Sequence, residues 1–133
     1  MKYTKEFFAK KLTELFIEKA KNLKLHYEDY NKLTAHIFFA DEINVPLFEL
    51  LKQNTNTAEI KKYCSFIEDM WLNGTDDVVN VVDVTILERL SDDATVWKNF
   101  GKYISNEFVR YINTDLLLNN SMMYGADKLD YNR

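Results

Sequence analysis

The sequence predicts an all-α fold, a single-domain helical bundle, and three observations predict it. Glycine and proline are scarce, three and one in 133 residues, and a chain with few turn formers favours long helices over many short strands. Apolar residues recur at helical spacing through most of the chain. Capping residues stand where those runs begin. The length suits one domain, and 47% apolar residues suffice for a core. No low-complexity linker divides the chain. The expected order is N-terminal helices in 1–55, a central helical hairpin in 56–93, C-terminal helices in 94–120 and a tail in 121–133.

Thr4 is placed to cap the first helix, whose apolar stripe is Phe8, Leu12, Leu15, Phe16 and Leu23, with an expected end near Leu25. Tyr27 to Ala40 reads two ways. Tyr30, Leu33 and Ile37 suit a second helix, whereas HIFFADE contains good strand residues. Pro46 restricts Val45 and is expected to open a further helix, PLFELLKQN.

The central hairpin organises the rest. Asn56 with Glu59 three residues on makes a variant capping box. Ile60, Cys64, Ile67 and Trp71 then draw one stripe. Gly74 is expected to close that helix in the left-handed conformation. Thr75 is expected to cap the next, with Asp76 and Asp77 favouring its positive end. VVNVVDVTIL is rich in β-branched residues, yet its polar positions do not alternate. On an α-helical register Asp76, Asn80, Asp83 and Leu87 share one face, with Val78, Val82 and Ile86 opposite. This predicts a helix, apolar on more than one side and packed between neighbours.

Ser91, Asp92 and Asp93 mark a new start, followed by Trp97, Phe100, Ile104, Phe108, Tyr111 and Ile112 at helical spacing. Ser105 suits a fresh cap, so the segment is either one bent helix or two. MMYGADKLDYNR is either docked or frayed.

Charge narrows the function. The net charge is −4, with eleven basic and nine acidic residues in 1–62 against six and twelve in 63–133. From Glu68 to Asp93, Arg89 is the one base among eight acids. Such an excess disfavours a nucleic-acid backbone and attracts a basic partner. Cys64 is the only cysteine, so no internal disulfide forms. Lysines interrupt the N-terminal apolar residues, which argues against a signal peptide. The expectation is a cytoplasmic protein that crosses no membrane.

No reaction is legible. Cys64 with His26 or His36 is the one thiol–imidazole combination, but Cys64 lies on an apolar stripe in an acidic region, unsuited to forming thiolate. His36 with Asp41 and Glu42, or His26 with Glu28 and Asp29, matches no standard metal spacing. No cofactor and no enzyme activity are expected. Among the paired acids, Asp76/Asp77 and Asp92/Asp93 are explained as helix starts. Glu68 and Asp69, near the negative end of their helix, have no local explanation and are candidates for function. The candidate partner-binding residues are Glu68, Asp69, Asp76, Asp77, Asn80, Asp83, Val84 and Leu87, the last two supplying a desolvated centre.

DDVVNVVDVTILERL resembles the second helix of a HEAT-type repeat. Together with HIFFADE and WKNFGKYISNEFVRYIN, it gives the chain a resemblance to small helical bacterial proteins of the polymorphic or contact-dependent toxin immunity type. That resemblance implies an immunity protein that binds and neutralises one cognate toxin, and the acidic surface suits a basic nuclease domain. The alternative is a HEAT-like adaptor for another protein partner, without catalysis.

Overall fold

The computed structural model describes residues 1–123 and 125–133, and of the predicted tail only Tyr124 lies outside the described residues. Among them the fold is all-α. Seven helical rods follow one another: α1 (Lys5–Leu15), α2 (Ala20–Tyr30), α3 (35–53), α4 (Thr57–Asn73), α5 (76–90), α6 (Ala94–Gly101) and α7 (106–119). The one β-type contact among the described residues is an isolated bridge between Tyr3 and Gly74.

Thr4 caps α1 as expected, its side chain accepting from the Phe7 amide. The first helix does not continue to Leu25. Phe16 leaves helical geometry at φ −124° and ψ 86°, turns into the core, and stacks on Tyr63 with ring centroids 4.3 Å apart. Lys19, in a short 3-10 turn, lies over both rings and sits 3.6 Å from Glu42. Leu15, assigned above to the stripe, is exposed. Packing of Phe16 against α4 overrides a sequence that contains no helix breaker.

HIFFADE is helical, and Pro46 stands in the first turn of an α-helical segment, Val45–Gln53, as expected, but that segment is not a separate helix. One rod, α3, runs through both, joining Ala35–Phe39 to Val45–Gln53 by a π turn over Ala40–Asn44. There the Val45 amide donates to the Ala40 carbonyl, five residues back. Proline has no amide to donate and clashes with the carbonyl four residues back, so the widened turn falls just ahead of the residue that an α-helix tolerates least. Similar π turns occupy Val82–Leu87 in α5 and Ile112–Leu116 in α7. The β-branched run VVNVVDVTIL is therefore helical, with a π turn in its second half. Val78, Val81, Val82, Ile86 and Leu90 are all buried, consistent with a helix packed on more than one side.

Asn56 caps α4, accepting from the Glu59 amide. It does so at φ 54°, and Asn31 and Asn54 also take positive φ, so asparagine supplies these left-handed turns. Gly74 does not. Its φ is −87°, contrary to the left-handed closure expected. What requires glycine is space. A Cβ there would overlap the Met70 carbonyl oxygen and the Val78 side chain, while Tyr3 crosses the turn by bonding the Asn73 carbonyl at 2.8 Å and the Thr75 amide at 3.0 Å.

The C-terminal segment is two helices. Ser105 caps α7 by accepting from the Phe108 amide, and Asp93 caps α6 by accepting from the Val96 amide. The tail is docked: Leu129 is buried in the same core as Phe8, Phe39, Ile67 and Phe108.

Candidate partner-binding groove

The residues singled out from the sequence do not form one surface. Glu68 reaches α7, where Oε1 accepts from the Ser105 amide at 2.5 Å. Asp69 turns to α1 and accepts from Lys11 Nζ at 2.5 Å, and from Asn73 Nδ2 at 2.7 Å. Both acids thus have structural partners distant in sequence, which corrects the reading that they lack a structural explanation. Asp77 bonds the Thr75 hydroxyl and the Val78 amide. Thr75 occupies the capping position, but its side chain caps no amide. Asp76 and Asn80 are exposed on α5. Leu87 is 0% exposed and cannot present itself to a partner. The π turn spends an extra residue per turn, so residues after Val82 leave the α-helical register that put Leu87 beside Asp83.

Asp83 faces α7. Its Oδ2 accepts from the Tyr111 hydroxyl at 2.7 Å, while its Oδ1 has no partner among the described residues. Burial pushes its carboxyl above the usual range, and the Tyr111 bond opposes that shift. The Tyr111 hydroxyl is itself raised, by burial and then by Asp83. A carboxyl raised by folding favours stability below its unfolded value, and that contribution is lost as pH rises through the folded value. Asp83→Asn keeps an acceptor for Tyr111 and removes the charge. Urea denaturation is expected to show the variant at least as stable as wild type at pH 7, with any advantage shrinking as the pH is lowered through the raised folded value and levelling off below about 4, the ordinary aspartate range. A variant clearly weaker at pH 7 would contradict this reading.

Where α3 and α5 meet, their π turns face each other. Asn44, on the α3 turn, donates from Nδ2 to the Ile86 carbonyl on the α5 turn at 3.0 Å. A carbonyl only accepts, so this bond fixes the amide orientation. The opposite atom, Oδ1, is then left without a partner among the described residues, although Asn44 is only 4% exposed. An unmet buried acceptor costs about 1–3 kcal/mol. Asn44 lines a groove of about 630 Å³ between the two rods. Val45, Phe48 and Val84 give it apolar walls, and Asp41, Glu88, Arg89 and Asp92 surround them. Val45 is 66% exposed. Glu88 holds Asn120 Nδ2 at 3.2 Å. Among the described residues Asp41, Asp92 and Arg89 enter no ion pair. His36 Nδ1 and Thr85 Oγ1, 2.5 Å apart, tie the same two rods together.

Of the residues predicted for the partner surface, only Val84 lines this groove. Asn44 was missed. Its one signal is an amide beside the i, i+4 stripe Phe39, Ile43, Leu47 and Leu51, all fully buried.

The thiol and imidazoles serve the structure. Cys64 is buried, and burial, then Glu68, pushes its thiol far up, away from thiolate. His26 Nε2 accepts from the Thr34 amide at 2.9 Å beneath Tyr30 and Phe38. Among the described residues no three His, Cys, Asp or Glu side chains gather as a metal site, and no helix is long and apolar enough to cross a membrane.

A family model described as a domain of unknown function, DUF7674, matches residues 9–119. The chain belongs to the DUF7674 family. No curated protein and no solved structure matches it. Both rods of the groove lie inside the DUF7674 match, whereas 120–133 lie outside it.

Proposed function

We propose that this DUF7674 protein acts by binding, not catalysis, and that the α3–α5 groove receives a basic segment of a protein partner. The observation that carries the proposal is a groove with an exposed apolar wall at Val45 and two acids, Asp41 and Asp92, that enter no ion pair among the described residues. A lysine or arginine from the partner sits among the carboxylates, while Arg89 offers one counter-charge for register. Val45, Phe48 and Val84 supply the apolar contact that charge does not. The partner class that fits is a basic toxin domain, which makes the protein an immunity protein. Its acids would compete for the surface a nuclease uses to hold nucleic acid. This moves the predicted acidic surface away from Glu68 and Asp69, whose carboxylates are already engaged.

The test is co-purification with the product of the neighbouring gene. Asp41→Lys combined with Asp92→Lys is expected to slow association at least tenfold at low salt, the scale of electrostatic steering, and to leave thermal stability near wild type. Glu68→Lys is expected to lower stability through the α7 cap. A complex untouched by the groove reversal would exclude this surface.

A further inference from the structure

We propose that the face formed by α6 and α7 is a binding site for an extended peptide, and that residues 126–133 are its intramolecular occupant. Two asparagines of α7 grip that segment by its backbone. Asn113 donates from Nδ2 to the Leu129 carbonyl and accepts at Oδ1 from the Leu129 amide, both at 2.8 Å. Asn106 does the same to Asn132, at 2.7 Å and 2.6 Å. Each side-chain amide thus stands in for the neighbouring strand of a sheet, and reads the chain without reading its side chain. The spacing is matched. Seven helical residues rise about 10.5 Å, and three residues of extended chain reach about 10 Å. The segment runs antiparallel to α7, since Asn106 meets the later residue.

Side-chain pockets add selectivity. Leu129 is 5% exposed and lies against Gly101, where a Cβ would stand 3.2 Å from Leu129 Cδ2. Gly101 has no need of unusual φ, so its value here is the room it leaves for leucine. Asn132 Nδ2 donates to the Gly101 and Ile104 carbonyls at 2.9 and 3.0 Å, satisfying the end of α6. Trp97 Nε1 donates to the Asp127 carbonyl at 2.8 Å. A cavity of about 830 Å³ remains beside the segment, lined by Lys98 and Lys102 as well as Asp127 and Asp130. The gripping residues Trp97, Asn106 and Asn113 fall within the DUF7674 match and the gripped segment falls outside it. The peptide the site fits is therefore extended, with leucine and, three positions on, asparagine, as the chain's own end supplies them.

The test starts from the full chain. A protease recognition sequence is inserted after Gly125, which is exposed with open space around it, and the protein is cut after folding. The probe is a fluorescent ADKLDYNR peptide. The cut protein is expected to keep its helical circular dichroism and to take up the probe. The uncut protein should take it up at least tenfold less, because a tethered segment competes at an effective concentration near millimolar. Asn113→Ala and Asn106→Ala in the cut protein should each weaken uptake about tenfold, the scale of two lost hydrogen bonds, and a probe with Asp in place of leucine should not bind. A cut protein that stays helical yet takes up no probe overturns the proposal. So does one that loses its helical signal, since the segment is then an inseparable part of the core.

Discussion

Phe108→Ala is expected to cost about 3–5 kcal/mol, the usual range for removing a fully buried phenylalanine. Phe108 is 0% exposed and is shared by three rods. Its ring stacks on Trp71 of α4 at 4.7 Å, meets Phe100 of α6 edge-on at 6.4 Å, and lies near Tyr111 of α7. Its loss would empty a junction in the core that also contains Leu129. Trp71, on the stripe drawn from the sequence, is only half-buried, so Trp71→Ala should cost less. Chemical denaturation of both variants checks the order. A Phe108→Ala midpoint equal to wild type would place the ring outside the cooperative core.

Gly74→Ala is expected to destabilise by about 1–3 kcal/mol, the range of overpacking. The added methyl meets a backbone oxygen, Met70 O, that cannot move without unwinding the end of α4. Relief would have to come from the turn that Tyr3 bridges. Because Gly74 has negative φ, D-alanine, the remedy for a left-handed glycine, should not rescue it. A neutral Gly74→Ala in thermal denaturation would contradict the steric account.

These contrasts show which parts of the fold are local. Thr4, Asn56 and Ser105 were legible as caps because a cap is settled within three residues of chain. The break at Phe16 was not, because only the distant Tyr63 rewards it. The π turns were not either. In α5 the turn rotates Leu87 inward, and a fixed helical period cannot anticipate that. The candidate site suffers most from this limit. Glu68 and Asp69 looked free because their partners, Ser105 and Lys11, stand 37 and 58 residues away. Asn44 and Asn113 looked ordinary because asparagine usually marks turns and surfaces. Only their burial, with carbonyls to satisfy or a backbone to grip, sets them apart.

The central claim is that a partner sits where the π turns of α3 and α5 face each other. Hydrogen–deuterium exchange on the full chain, with and without the neighbouring gene product, tests it most directly. Binding is expected to protect 40–48 and 84–92 together, and the protection should weaken with added salt as screening slows association. Protection confined to 68–80, with the groove segments unchanged, would contradict the claim and return the binding face to the start of α5.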